Sequence, residues 1–180
     1  MLIHERTSVE QAKLEKILLI EAKPMATTSA RSPQHQQSAL KPTDCLTQAE
    51  TELLSELEIY RLVMEGFVLR DVETMLALSN LYSSKQVVVR ILGKSKRTIR
   101  RLGLVESYRL NPYQSSVAFQ YAKALEHAIA VFGTQKCAEE WLGRPCRHLA
   151  DNLPVDLLDN SLGFQVVENY LARIELGVYQ

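Results

Sequence analysis

Residues 131–180 read VFGTQKCAEEWLGRPCRHLADNLPVDLLDNSLGFQVVENYLARIELGVYQ, and this stretch decides the fold of the chain. Gly133 ends one helix, and Thr134 is placed to cap the next. Gly143 and Pro145 stop this second helix after about two turns. Its predicted apolar face consists of Ala138, Trp141 and Leu142.

A short turn and a final helix follow. Pro154 opens the turn, and any of residues 159–161 could cap the final helix. Gly177 ends that helix and leaves three residues beyond it. The turn carries Val155, Leu157 and Leu158, and the apolar stripe of the helix is predicted at Val166, Tyr170 and Ile174, with Val167 and Leu171 one step beside it.

These residues also carry a family resemblance, which covers roughly the last third of the chain in order and at consistent spacing. The matching positions are Val131-Phe132-Gly133, Ala138-x-x-Trp141-Leu142, Pro154-x-x-Leu157-Leu158, Gly163-x-x-Val166 and Arg173-Ile174-Glu175-x-Gly177-Val178. This pattern resembles the toxin-binding domain of the Xre/MbcA/ParS antitoxins. The chain departs from it at Ala150-Asp151, where that family usually has two glycines before the proline.

The resemblance implies a partner toxin of the RES type, which has a fold similar to ADP-ribosyltransferases and consumes nicotinamide adenine dinucleotide. It implies that the C-terminal tail plugs the dinucleotide cleft of that toxin. Glu175 would pair with a cation in the cleft, while Arg173 anchors the helix. The candidate toxin-binding residues are Arg173, Glu175, Gly177, Val178, Tyr179 and Gln180. The alternative is that these terminal residues fray in solvent, as chain ends commonly do.

The net charge of the chain is zero, but the charges are unevenly distributed. Residues 85–109 hold eight cations and one acid, Glu106, for a net charge of +7. The remaining residues must therefore sum to −7. Such an asymmetry indicates one segment that faces nucleic acid on an otherwise acidic molecule.

Two short helices joined by a glycine turn are predicted inside the basic segment. Ser83-x-x-Gln86 is placed to cap the first helix, with Val88 and Leu92 inward, and Ser95 to cap the second, with Ile99 and Leu102 inward. The triplet Val87-Val88-Val89 has strand propensity, but the bracketing cap and turn favour a helix. The layout Ser84-x-x-x-Val88-Val89-x-x-Leu92-Gly93-x-Ser95-x-x-Thr98-Ile99-x-Arg101 resembles the helix-turn-helix of Xre-like repressors, in which the position of Val89 is usually small.

The second of these helices presents cations without neighbouring acids. Like charges on one helix repel each other, and neutralisation by DNA phosphates would remove that penalty. We therefore favour binding to operator DNA over the alternative that this helix face is simply exposed to solvent. Lys96, Arg97 and Arg100 are best placed for base edges, and Lys94, Arg101 and Arg109 for phosphates. The candidate DNA-binding residues are Lys94, Ser95, Lys96, Arg97, Thr98, Arg100, Arg101 and Arg109.

The remaining segments predict an all-α architecture in three parts: residues 1–46, a helix and flexible linker; residues 47–110, the DNA-binding domain; and residues 111–180, the toxin-binding domain. Residues 24–46 are rich in Ser, Thr, Gln and Pro, which favours a linker that neutralisation does not need. Three further helices are predicted. The first follows a capping box at Thr47 and has Leu53, Leu57, Tyr60 and Met64 inward, and the second contains Val72, Met75 and Leu76. The third runs from Asn111 to Phe132 with Val117, Tyr121, Leu125 and Ala128 inward.

Several function classes are disfavoured by the sequence. No apolar run approaches about 20 residues, and the start lacks a signal-peptide layout, so we expect a cytoplasmic protein. No four-ligand zinc pattern is formed by Cys137, Cys146 and His148, because the fourth ligand would have to come from a distant residue such as His127. The sequence also has no nucleophile motif and no phosphate-binding loop. We therefore expect no metal, no cofactor and no enzymatic activity.

The expected protein is an antitoxin that neutralises a RES-domain toxin and represses its own operon, as a homodimer or a higher homo-oligomer within a toxin complex. The alternative is a free-standing helix-turn-helix regulator whose C-terminal domain senses a ligand or only dimerises.

Overall fold

The computed structural model describes residues 41–105 and 107–177, all of which belong to one compact unit, Ser38–Gln180. These residues form α-helices and no extended strand, which confirms the predicted all-α class. The first six helices are α1 (Pro42–Thr47), α2 (Glu56–Glu65), α3 (Leu69–Ala77), α4 (Asn80–Ser84), α5 (Val87–Leu92) and α6 (Lys96–Leu102). The next four are α7 (Pro112–Phe132), α8 (Gln135–Leu142), α9 (Pro154–Leu157) and α10 (Ser161–Glu175). None of the helices in the described part of the chain is long and apolar enough to cross a membrane.

The long helix α7 is the centre of the fold. It begins with a capping box between Asn111 and Gln114, and it ends at Gly133, whose φ of 77° is left-handed. Helices α1, α2, α5, α8 and α10 all pack against it. Its predicted inward residues are confirmed as buried: Val117, Tyr121, Leu125 and Ala128. Helix α7 therefore contacts elements of both the predicted DNA-binding domain and the predicted toxin-binding domain, and one continuous core joins the two.

The start of the described chain corrects the linker prediction. Residues 42–46 belong to α1, in which Cys45 and Leu46 are buried against the core. The backbone N–H and the hydroxyl of Thr43 both donate to Glu126 of α7, each at 2.7 Å. The polar composition of residues 24–46 concealed these few inward side chains, and the predictions for residues 1–40 lie outside the described residues.

Helix α2 is also shifted from its prediction. Thr47 does not cap it, because Thr47 is the buried last residue of α1. Ser55 caps α2 instead, through a capping box with Glu58. The predicted inward stripe faces away from the core, with Leu53, Leu57, Tyr60 and Met64 between 50% and 78% exposed. Leu62 and Val63 pack against the core in their place.

The middle helices follow the prediction with one change of cap. Ser83 does not cap α5, because it lies inside α4, whose own cap is Ser79. The N-cap position of α5 is Gln86, and its side chain makes no capping hydrogen bond. The valine triplet is helical, as predicted, although Val87 is its buried member and Val88 is half-buried. The predicted inward residues Val72, Met75 and Leu76 of α3 are buried.

The C-terminal helices have the predicted caps, but their last apolar stripe is rotated. Thr134 caps α8, and Asn160 caps α10 by accepting from the N–H of Gly163. A Cβ on Gly163 would lie 2.1 Å from the carbonyl oxygen of Leu157, so only glycine permits this close approach of α9 and α10. The buried stripe is Val167 and Leu171, while Val166 is exposed and Tyr170 and Ile174 are half-buried. A one-residue shift turns a helix by about 100°, which separates the two stripes.

Candidate functional site

The basic segment presents one face of α6 to solvent. Ser95 caps the helix by accepting from the N–H of Thr98, and Ile99 is buried beneath it. With about 100° per residue, Ile99 and Leu102 lie opposite the cations. We call the exposed cations Lys94, Lys96, Arg97, Arg100 and Arg101 the basic face. Within residues 41–105 and 107–177, none of the five pairs with an acid.

Arg109 lies apart from the basic face. Its Nη1 donates to the carbonyl oxygen of Gly66 at 2.6 Å, where the chain between α2 and α3 passes residues 108–110. Gly66 itself admits no side chain, since a Cβ there would lie 2.0 Å from the carbonyl oxygen of Leu110. Arg109 therefore helps to hold α2 and α3 on the core.

A cluster of polar side chains joins the basic segment to the C-terminal helices. Arg90 of α5 pairs with Asp159 at 2.6 Å and with Asp156 at 2.8 Å. The hydroxyl of Tyr121 donates to the other carboxylate oxygen of Asp159 at 2.6 Å, and Tyr113 donates to the Asp159 carbonyl. We call these five residues the junction cluster. Arg90 is one of the eight cations counted in residues 85–109, and only the fold shows that two acids hold it.

The tyrosines at this junction are strongly affected by burial. Burial, and then the hydrogen bond to Asp159, raise the pKa of Tyr121 well above its ordinary value. Burial also raises the pKa of Tyr82, whose hydroxyl donates to the Tyr121 carbonyl oxygen at 2.8 Å. Both phenols therefore remain neutral donors at neutral pH.

The loop before α9 contains the Ala150-Asp151 pair. Ala150 and Asp151 have φ values of 53° and 57°, two successive left-handed residues. Main-chain bonds close the loop, from the N–H of Cys146 to Asn152 and from the N–H of Asp151 to Cys146. A left-handed conformation costs roughly 1–2 kcal/mol for a residue with a side chain and almost nothing for glycine. The departure at Ala150-Asp151 therefore keeps the loop geometry at a cost in strain.

Aromatic side chains from four elements pack together beside α10. Tyr170 stacks on Trp141 with ring centroids 5.9 Å apart and on His148 at 5.5 Å. Phe132, at the end of α7, adds a contact with Trp141 at 5.3 Å. The guanidinium of Arg173 lies 5.8 Å from the centroid of the Tyr170 ring. This aromatic cluster holds α8 and α10 against each other near the end of α10.

The last turn of α10 and the two residues after it carry three of the six candidate toxin-binding residues. Arg173 donates from Nε to the Asn169 carbonyl at 3.2 Å, which holds it on its own helix beside Tyr170. Glu175 is 61% exposed, and its carboxylate lies 3.5 Å from His127 Nε2. Gly177 has a left-handed φ of 67°, so the helix ends there as predicted. Val178, Tyr179 and Gln180 lie outside the described residues.

His127 is the site residue that sequence reasoning missed, because it entered only as a possible metal ligand. Its Nδ1 lies 3.0 Å from Glu168 Oε2, on the opposite side of the ring from Glu175. Glu168 and Glu175 are seven residues apart, about two helical turns, and so share a face of α10. That spacing was a signal in the sequence, but nothing there showed that α7 lies against this face.

Residues 127–177, which run from the end of α7 through α10, match the family model described as the antitoxin Xre/MbcA/ParS C-terminal toxin-binding domain. This part of the chain is therefore a toxin-binding domain of the Xre/MbcA/ParS antitoxin type. No curated protein matches the chain.

Proposed function

We propose that this protein is the antitoxin of a type II toxin–antitoxin pair. It binds and neutralises a RES-type toxin that degrades nicotinamide adenine dinucleotide, and it represses its own operon by binding DNA. The match over residues 127–177 carries the toxin-binding part of this proposal. The RES identity of the toxin comes from the resemblance of the closing motif, Arg173-Ile174-Glu175-x-Gly177-Val178.

The exposed end of α10 supports a tail mechanism. Glu175 is largely accessible and can pair with a cation of the toxin, while Arg173 is already held by Asn169 and Tyr170. The left-handed Gly177 ends the helical run, so residues 178–180 lie beyond it in the chain. Val178 and Tyr179 then supply apolar contact, which is worth on the order of 3–5 kcal/mol before ordering costs.

The basic face supports the DNA-binding part of the proposal. Five exposed cations lie at the start of α6 and along it, and none has an acidic partner among the described residues. They create a strongly positive surface, which phosphate contacts would neutralise. Short helix pairs of this kind read the major groove with the second helix, and as dimers they contact half-sites about one helical turn apart. We infer that two copies of the chain bind one operator, with Lys96, Arg97 and Arg100 toward the bases.

Co-expression with the product of the adjacent gene tests the proposal directly. We expect the two proteins to co-purify, and we expect the purified antitoxin to stop dinucleotide consumption by its partner. A free-standing regulator would show neither result.

Deletion of Val178–Gln180 tests the tail mechanism. The deletion removes only residues beyond Gly177, so folding and DNA binding should be unchanged while toxin activity returns. The assay is dinucleotide consumption by the partner, titrated with full-length and shortened protein. Equal inhibition by both would contradict the tail mechanism and favour steric blocking by the body of the domain, around Trp141 and Leu157.

A further inference from the structure

Helix α2 exposes its most apolar side to solvent. Three of its side chains, and one in the turn just before it, are each at least half exposed: Leu53, Leu57, Tyr60 and Met64. We call these four residues the apolar face of α2. None of the ten residues of α2 is buried, and the helix rests on the core through half-buried residues such as Leu62. A cluster of large apolar side chains left at a protein surface marks an interaction site.

The residues of this face have the spacing of a seam between two helices. Leu57, Tyr60 and Met64 follow one another at intervals of three and four residues, which is the a and d pattern of a heptad. Side chains at these intervals lie along one line of a helix, so they can interdigitate with a matching line on a second helix. Leu53 adds a fourth apolar side chain ahead of the first turn.

The charges beside the seam are complementary to those of an identical helix. With Leu57 at position a and Tyr60 at position d, Glu56 occupies position g and Arg61 occupies position e. Salt bridges between paired helices form at these two positions, and a parallel pair places each g beside the next e of the other helix. Both side chains are exposed, and neither forms a salt bridge within residues 41–105 and 107–177. A second copy of α2 therefore fits this face in charge as well as in spacing.

Helix α2 and the toxin-binding helix α10 lie on different sides of α7. Directly after α2, the N–H of Phe67 donates to the hydroxyl of Ser115 on α7. On α10, the hydroxyl of Ser161 accepts from Gln120 of α7. Since each residue turns a helix by about 100°, Gln120 lies about 140° around α7 from Ser115. The apolar face of α2 is therefore a surface separate from the exposed last turn of α10.

We propose that the apolar face of α2 pairs with the same face of a second copy of this chain. The two α2 helices run parallel about a two-fold axis, so that each residue of the seam meets its own counterpart and Glu56 of each copy lies beside Arg61 of the other. A pair of helices about 15 Å long is small for an interface, so we expect a reversible dimer with a dissociation constant in roughly the micromolar range. Its use on an operator rests on the proposed function, whereas the pairing itself does not.

Sedimentation of the full-length protein, without DNA or toxin, measures the pairing. We expect monomers to become dimers between about 1 and about 200 μM. Leu57→Glu should weaken the dimer by about 100-fold or more, because it places two carboxylates opposite each other in an apolar seam. Leu162→Glu is the matched control, since Leu162 is a more exposed leucine on α10, and it should dimerise like the wild-type protein.

Two outcomes of this experiment would overturn the proposal. One is a protein that stays monomeric throughout, as it would if residues 1–40 or a different partner covered this face. The other is a dimer that survives Leu57→Glu, which would place the contact elsewhere on the surface. Helical circular dichroism of each variant verifies that it is folded.

A charge exchange tests the direction of the pairing in a way that unfolding cannot imitate. Glu56→Arg should weaken the dimer by about 3- to 10-fold, because both flanking pairs become repulsive. Combining Glu56→Arg with Arg61→Glu restores opposite charges and should return the dissociation constant to within about threefold of wild type. A double variant that is no better than Glu56→Arg would overturn the parallel arrangement.

Operator binding distinguishes this inference from the proposed function. If two copies joined through α2 occupy one operator, Leu57→Glu should lower operator affinity by about tenfold or more although the basic face is intact. Unchanged affinity would overturn the use of the α2 pair on DNA. If the wild-type protein binds no promoter DNA while the sedimentation results hold, the proposed DNA binding fails and the pairing of α2 stands.

Discussion

Arg90 and Arg97 are seven residues apart in one basic segment, yet the fold uses them in opposite ways. Arg90 is held by Asp156 and Asp159 in the junction cluster, which fixes α5 against the loop between α9 and α10. Arg97 is exposed on the basic face, where residues 41–105 and 107–177 supply it with no acid. An arginine that is paired with acids within the fold stabilises the architecture. An arginine without such a partner is available to bind another molecule. In the sequence both arginines add equally to the positive charge of residues 85–109, and nothing there shows that acids hold Arg90.

Helix α1, like Arg90, contributes to the packed part of the fold. Removal of α1 should have the largest effect of the changes considered. A chain starting at Thr47 loses Leu46, Cys45 and the two hydrogen bonds from Thr43 to Glu126. We expect the free energy of unfolding to fall by about 4 kcal/mol or more, since a single buried leucine contributes about 2–5 kcal/mol.

Urea unfolding measures this loss, with a chain starting at Ser38 as the control. That control keeps α1, so the two truncated chains differ only in residues 38–46. Equal stability of the two truncated chains would show that α1 is not part of the core.

The exposed side of the comparison is tested by replacing two cations of α6. Arg97→Ala with Arg100→Ala should weaken operator binding by about 10²- to 10⁴-fold, because base-contacting arginines contribute roughly 1–3 kcal/mol each. Thermal stability should hardly change, since neither side chain has a partner within the described residues. A mobility-shift titration on the protein's own promoter fragment measures the loss. Wild-type affinity in the double variant would remove the DNA-binding role of the basic face.

A matched pair of single substitutions separates the two kinds of arginine. Arg90→Gln should destabilise the protein by about 1–2 kcal/mol, because it leaves two partly shielded carboxylates without their cation. Arg101→Gln removes the same charge from an exposed position and should change stability by less than about 0.5 kcal/mol. DNA affinity should show the reverse order. Equal unfolding midpoints for the two variants would contradict the comparison.

The smallest effect is expected in the strained loop. Ala150→Gly should raise the free energy of unfolding by about 0.5–1 kcal/mol, because relief of the left-handed strain outweighs the added entropy of the unfolded chain. Ala77→Gly, at the exposed end of α3, is the control and should lower it by about the same amount. Calorimetry resolves both changes. A loss of stability in Ala150→Gly would show that the loop is not strained.

The extent of sequence-based prediction differs between elements for physical reasons. Caps and stops at Thr134, Asn111, Ser95, Gly93 and Gly177 were predicted correctly, since each acts within one turn of its own helix. The stripe of α2 was predicted on the wrong side, because the most apolar face of an isolated helix need not be the face that meets the core. The rotation of the α10 stripe by one residue has the same origin.

The candidate site divides in a similar way. The closing motif from Arg173 to Gly177 was found because its residues are adjacent in the chain and resemble a family. His127 could not be found that way, because its partners Glu168 and Glu175 lie 41 and 48 residues further along the chain. Arg90 poses the same problem, with acids 66 and 69 residues away.

The sequence by itself determined the helical class, most helix ends, the resemblance of the C-terminal domain and the concentration of positive charge, because each of these depends on neighbours in the chain. Only the tertiary structure decided which charges are compensated, which apolar faces are buried and that Ala150 and Asp151 are both left-handed. Those outcomes depend on residues that meet only after α7 has brought the two ends of the described chain together. Long-range packing is not encoded in any local pattern, so it must be observed.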